Sequence, residues 1–122
     1  MENLLLWIIS AVIAIGVPAA MLTIGKKIMA EMPKIGTWYG YNSKLSLKNE
    51  ETWKFANDTM AKLWINIGEA MTPAAAIAML FSFGKDKSTI WSYFYLLILV
   101  ELVALIYSKI SVKNSLKKEF GE

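Results

Sequence analysis

Two glutamates stand alone in long apolar stretches, and they are the residues best placed for chemistry. Glu69 interrupts the run from Leu63 to Gly84, and Glu101 interrupts the run from Ser88 to Ser108. A lone carboxylate inside a membrane costs a few kcal/mol on insertion scales, so it needs a cavity or a partner. Two such acids at one level could share a proton, bind a cation or accept a basic group from a ligand.

The neighbours of these acids define a candidate site. At helical spacing, Lys62 and Asn66 lie on the same face as Glu69. Pro73 cannot donate a hydrogen bond to the carbonyl of Glu69, four residues earlier, which leaves a polar backbone atom beside the acid. The sequence therefore predicts an intramembrane polar site made of Lys62, Asn66, Glu69, Pro73 and Glu101.

A purely structural interpretation of this site stays open. Each acid would then hydrogen-bond a neighbouring helix and fix the arrangement of the bundle. Close packing of helices is also expected from a series of small residues, because small side chains let helix backbones approach each other. That series repeats every four residues in the second apolar run and consists of Ala70, Ala74, Ala78 and Ser82.

The composition excludes most other chemistry. The 122 residues are 56% hydrophobic, with a mean hydropathy of +0.42, which is typical of a single membrane domain over 1–122. Cysteine, histidine and arginine are all absent, so there is no thiolate, no imidazole base and no guanidinium fork. We expect neither an enzyme nor a metal or cofactor, and a membrane enzyme using the two acids is the least favoured alternative. Direct nucleic-acid binding is not expected.

Three segments are long enough to cross a bilayer: about 4–25, 63–84 and 88–108. The first has 22 residues and would span about 33 Å as a helix. Its lysines follow the apolar run instead of preceding it, so it is predicted to be a retained anchor and not a cleaved signal peptide. The predicted fold is all-α, an integral membrane bundle of three transmembrane helices.

The distribution of lysines predicts the orientation. Seven lysines lie in 26–62 and four follow position 108, whereas the short turn between the last two spans has two and the segment before the first span has none. Because positive charge accumulates in cytoplasmic segments, we predict a multi-pass protein of the cell membrane with the N-terminus outside and the C-terminus cytoplasmic.

The two lysine-rich segments are predicted to lie at the cytoplasmic membrane surface. In 26–62 we expect a turn-rich loop followed by an amphipathic cytoplasmic helix, with Ser46 as its N-cap and an apolar stripe that includes Trp53 and Met60. The tail 109–122 is predicted to be a basic amphipathic segment beside an anionic leaflet.

The segment from Gly40 to Asn57, GYNSKLSLKNEETWKFAN, resembles the signature of the SdpI family. That signature has a G-Y-R-T-like turn, a serine, several residues that include acids, and then T-W-x-x-A-N. Asn42 stands where the family usually has arginine. The resemblance implies a binding or transduction role for the matching residues, which are Gly40, Tyr41, Ser46, Asn49, Glu50, Thr52, Trp53, Phe55, Ala56 and Asn57.

The resemblance also implies a function. It predicts an integral membrane protein that gives immunity to, or senses, a secreted membrane-active toxin peptide. Besides the lipid bilayer, the implied partners are that toxin peptide and a cytoplasmic transcriptional repressor. The alternative is a small proton- or cation-coupled transporter that uses Glu69 and Glu101, and three spans are so few that this alternative requires a homo-oligomer.

Overall fold

The computed structural model describes residues 3–121 as three long helices: α1 (Leu4–Ala30), α2 (Glu50–Ser82) and α3 (Lys87–Phe120). All three are long and apolar enough to cross a membrane, and no strand occurs in this range. A helix satisfies its own backbone polar groups, which a bilayer interior requires. The predicted all-α bundle of three transmembrane helices is therefore confirmed, while Met1, Glu2 and Glu122 lie outside the described residues.

The helices are longer than the predicted spans. The predicted amphipathic helix is not a separate element, because α2 runs without a break from Glu50 to Ser82 and includes it as its first turns. Between Glu50 and Met71 there is neither a proline nor a run of turn residues to end the helix, and α2 continues through Pro73. The predicted basic tail likewise forms the last turns of α3, as far as Phe120.

Helix α2 begins at a capping box. The Asn49 side chain accepts a hydrogen bond from the Thr52 backbone N–H at 2.9 Å, and the Thr52 hydroxyl accepts one from the Asn49 backbone N–H at 3.1 Å. Two backbone donors that the first helical turn leaves free are thereby satisfied. The prediction that Ser46 is the N-cap is wrong: Asn49 is the cap, and Ser46 lies buried in the preceding loop.

Small residues bring α1 and α2 together, and of the predicted ones only Ser82 is among them. From Ala61 onward, the buried small residues of α2 have a spacing of seven and are Ala61, Gly68, Ala75 and Ser82. Within the bundle the predicted series with a spacing of four does not form the packing stripe, because Ala70 and Ala74 are exposed. A spacing of four drifts by about 40° around a helix at every step, whereas a spacing of seven drifts by only about 20° and stays against one neighbour.

The backbones of α1 and α2 approach closely at two glycines. A Cβ at Gly68 would lie 2.6 Å from the Leu22 Cβ and 2.8 Å from the Pro18 carbonyl oxygen. A Cβ at Gly25 would lie 2.8 Å from a side-chain carbon of Ile65. Since real Cβ atoms do not tolerate such distances, the interface depends on glycine at these two positions.

Tryptophan hydrogen bonds set the register of the antiparallel helices. The Trp7 indole N–H donates to the Met79 carbonyl oxygen at 2.8 Å and joins the start of α1 to the end of α2. The Trp64 indole N–H donates to the Ser108 hydroxyl at 3.1 Å and joins α2 to α3. We call the opposite end of the bundle from Trp7, where α1 and α3 end and α2 begins, the lysine-rich end.

Helix α3 packs less extensively than the other two, and its outer face is apolar. The exposed large side chains of α3 include Leu96, Leu99, Leu102, Val103 and Ile106. In a membrane these side chains lie against lipid, which is the environment that such residues favour.

Gly68→Ala tests the close approach of α1 and α2. We expect it to lower the free energy of unfolding by about 1–3 kcal/mol, because the added methyl group meets the Pro18 carbonyl and Leu22. Gly16→Ala is the matched control: it lies in α1 with no atom within 4 Å of the new Cβ, and it should leave stability unchanged or slightly raised. The measurement is unfolding in mixed micelles with increasing dodecyl sulfate; equal stability of the two variants would contradict the packing.

Candidate functional site

Helix α3 buries one acid in the middle of the bundle. Glu101 is only 2% exposed, and neither of its carboxylate oxygens has a hydrogen-bond partner. Burying an unpaired charge in an apolar interior is strongly unfavourable, so this carboxyl is stable when it carries a proton or meets a cation. Among the described residues, Glu101 is therefore the best candidate for binding a proton or a cation inside the bundle.

A second unpartnered polar group lies in the same layer. The Thr72 hydroxyl oxygen is buried and has no hydrogen-bond partner. Counted from the Trp64–Ser108 hydrogen bond, Glu101 lies about 10.5 Å along α3 and Thr72 lies about 12 Å along α2 in the same direction. Thr72 is not among the site residues predicted from the sequence, although a hydroxyl residue next to a proline within an apolar span could have indicated it.

Helix α1 contributes a carbonyl oxygen at this level. Pro18 cannot donate to the carbonyl of Ala14, so this oxygen lacks its helical donor. Gly68 packs on Pro18, and one turn further along the antiparallel pair places Ala14 opposite Thr72. We name the Glu101 carboxyl, the Thr72 hydroxyl and the Ala14 carbonyl the polar layer.

The structure does not bring Glu69 and Glu101 together. Ser108 faces α2, and Glu101 lies seven residues before it, so Glu101 shares that face of α3. Glu69 lies five residues after Trp64, which turns it about 140° around α2 and away from α3. Glu69 is exposed. The two acids differ in depth by only about 3 Å, but they lie on unrelated faces.

The other predicted members of the acid site accompany Glu69 on the surface. Lys62 forms its ion pair with Asp58, with a distance of 2.9 Å between Nζ and Oδ2, and both side chains are largely exposed. Asn66 and Pro73 are exposed on α2. We call this surface the outer face of α2; its exposed residues are Asn66, Glu69, Ala70, Pro73 and Ala74.

The signature residues form a second cluster, at the lysine-rich end, with Asn57 at its centre. Asn57 is fully buried; its Oδ1 accepts from the Tyr41 backbone N–H at 2.6 Å, and its Nδ2 donates to the Trp53 carbonyl at 2.9 Å. A Cβ at Gly40 would lie 2.8 Å from Asn57 Oδ1 and 2.7 Å from a ring carbon of Trp53. Glycine at position 40 is therefore required for the loop to lie against α2.

Further hydrogen bonds hold the loop in place. The Trp53 indole N–H donates to the Pro33 carbonyl at 2.8 Å. The Ser46 hydroxyl donates to the Tyr41 carbonyl at 2.9 Å, and the Thr52 hydroxyl donates to the Ser46 carbonyl at 3.1 Å. These buried signature residues contact the interior of the protein, so their shared effect is to fix the loop on the first turns of α2.

The remaining signature residues divide between core and surface. Ala56 is fully buried in the cluster that includes Ile28 and Val112, while Phe55 packs edge-on against Phe120 with ring centroids 5.4 Å apart. Glu50 is exposed in the first turn of α2. A ligand would therefore contact mainly the exposed residues of the signature, such as Glu50.

Asn57→Ala tests the role of the signature in folding. Loss of the Asn57 amide leaves the buried Tyr41 backbone N–H without its acceptor, and we expect the free energy of unfolding to fall by about 1–3 kcal/mol. Trypsin should cleave faster after Lys44 and Lys48, because the loop is released from α2. Asn114→Ala, at an exposed position of α3, is the control. Unchanged cleavage and stability in Asn57→Ala would contradict this role.

Comparison with known proteins agrees with the signature. The model of the SdpI/YfhL protein family matches residues 34–110, which include most of the loop, all of α2 and the first two thirds of α3. Neither the curated proteins nor the solved structures gave a match. Because the match extends over more than half of the sequence and includes the buried residues that fix the loop, the chain belongs to the SdpI/YfhL protein family.

Proposed function

We propose that this protein gives immunity to, or senses, a secreted membrane-active toxin peptide, and that it does so without acting as an enzyme. The observation that carries the proposal is the family match over 34–110. The chain resembles the family whose namesake protects its producing cell from a sporulation-delaying toxin. The three membrane-spanning helices support the proposal, because an apolar toxin and its target would meet in the bilayer.

The continuity of α2 supports a sensing mechanism. The helix extends from the loop, where Asn57 fixes it to Tyr41, to the far end of the bundle, where Ser82 lies against Trp7. A toxin peptide that displaces α2 or α3 within the bilayer would therefore move the loop with it. The transcriptional repressor implied by the family resemblance would bind at this end of the bundle.

We further propose that the lysine-rich end is cytoplasmic and that the N-terminus is outside. The antiparallel helices collect eleven lysines at one end and two at the other, since 26–62 holds seven and 109–118 holds four. Segments rich in lysine are retained on the cytoplasmic side during insertion. This orientation places the surface that would receive a repressor in the compartment where repressors act.

A protection assay tests the immunity proposal. Sensitive cells that express the chain should survive the sporulation-delaying toxin, used here as the probe, better than cells with an empty vector. Asn57→Ala should reduce survival at equal protein amount in the membrane, because the loop no longer follows α2. Asn114→Ala should protect as well as the unmodified chain. No gain in survival from the unmodified chain would refute immunity toward this class of peptide.

A second candidate, a proton- or cation-coupled transporter, is favoured by the polar layer. Glu101 is buried and unpartnered, as an ion-binding carboxyl would be. Three spans are too few for a pathway in one chain, so the transporter would be a homo-oligomer. Its interface would be the outer face of α2, because Asn66 and Glu69 are poorly suited to lipid and Ala70 and Ala74 allow close approach.

Flux through liposomes separates the two candidates. A transporter should show pH-dependent flux that Glu101→Gln abolishes, because the amide neither binds a proton in this range nor carries a charge. Glu69→Gln should retain flux, since Glu69 lies on a different face. Protection that survives Glu101→Gln, together with no measurable flux, would leave immunity as the function and exclude the transporter.

A further inference from the structure

Five lysines from two distant parts of the chain meet around one cleft at the lysine-rich end. The cleft has a volume of about 680 Å³, within the range of small-molecule sites. We call it the lysine cleft. Its cations come from the loop and from the last turns of α3, and they are Lys44, Lys48, Lys109, Lys113 and Lys117.

The residues that line the lysine cleft do not neutralise its positive charge. No acidic residue is among those that line it in the part of the chain described here. Within residues 3–121 the one ion pair is Lys62–Asp58, and neither residue lines the cleft. Like charges held close together repel, so an anion in the cleft gains charge-assisted hydrogen bonds and relieves this repulsion.

The walls between the lysines are apolar or neutral. Leu45 and Leu116 line the cleft together with Tyr41. Burial raises the pKa of the Tyr41 phenol, although a hydrogen bond with Ser43 opposes this effect. Tyr41 therefore keeps its proton at neutral pH and remains a hydrogen-bond donor. A ligand with both an anionic and an apolar part fits these walls.

An apolar path leads from the lysine cleft into the membrane region. A second hollow shares Tyr41, Asn42 and Lys109 with the cleft and extends to Trp64 and Leu105. Met60 also lines this hollow, so its end nearer the membrane is mainly apolar. From Lys109 to Leu105 the path follows α3 for about 6 Å into the apolar span.

We propose that the lysine cleft and this hollow bind one anionic phospholipid, with the phosphate headgroup among the lysines and the first part of an acyl chain against Trp64 and Leu105. Three observations point to a lipid: the cations lie where α3 leaves its apolar span, the cleft lacks lining acids, and the apolar path begins at the same lysine, Lys109. Free phosphate or an acidic peptide would use the lysines but would leave the adjoining apolar hollow without a role. The proposal is independent of toxin immunity.

The test measures binding of fluorescent phosphatidylglycerol to the purified full chain in neutral detergent. Lys44→Gln, Lys109→Gln and Lys113→Gln combined should weaken binding about a hundredfold, from about fivefold for each lysine. The matched control combines Lys26→Gln, Lys34→Gln and Lys54→Gln, exposed lysines of the same end that do not line the cleft, and should weaken binding less than about threefold. All six lysines are exposed, so both variants should keep the helical content of the unmodified chain.

Competition experiments distinguish the ligand sources. Unlabelled phosphatidylglycerol should displace the probe, whereas phosphatidylcholine, inorganic phosphate and a soluble heptaglutamate peptide should do so at least tenfold less well. Leu105→Trp should fill the hollow and weaken binding of the lipid while leaving binding of its water-soluble headgroup, glycerophosphoglycerol, unchanged. Equal losses in both triple variants, equal displacement by any of the other three competitors, or no effect of Leu105→Trp would overturn the proposal.

Discussion

The close contact between α1 and α2 at Gly25 and Gly68 is the constraint on which the rest of the structure depends. At Gly68 the space for a Cβ is occupied by Leu22 and the Pro18 carbonyl, so the two helix backbones lie as near as they can. In a bilayer, where apolar side chains gain nothing by leaving lipid, such close packing is a main source of helix association. This contact decides which residues of α2 face α1 and which remain for α3.

The lysine-rich end is organised by buried polar groups. The side chains of Asn57, Ser46 and Thr52 form hydrogen bonds of 2.6 to 3.1 Å with backbone groups of the loop. A buried network of this kind stabilises one conformation when all its members are paired. Because the loop is fixed in this way, Lys44 and Lys48 lie opposite the lysines of α3 and a cationic cleft forms. The buried residues of the family signature therefore determine where the surface lysines lie, because they fix the conformation of the loop.

The two acids of the membrane-spanning segments have similar sequence contexts but different surroundings in the structure. Both interrupt apolar runs, and both lie at comparable depth. Glu101 is enclosed by the bundle with Thr72 in the same layer, whereas Glu69 lies on the outer face of α2. An enclosed carboxyl can bind a proton or cation away from solvent, while an exposed one requires a headgroup, water or another chain. Only the first is suited to chemistry within a single chain.

The sequence alone determined the number of spans, their antiparallel order and the accumulation of lysine at one end, because length, hydropathy and charge are properties of each segment by itself. It also identified Asn57 and Trp53 as members of a family signature. Only the tertiary structure decided which face each helix turns inward. Rotation about a helix axis depends on contacts with the neighbouring helix, and a four-residue series such as Ala70 and Ala74 does not reveal that the contact follows Ala61 and Gly68. For the same reason the separation of Glu69 from Glu101, and the meeting of Lys44 with Lys109, required the packed bundle.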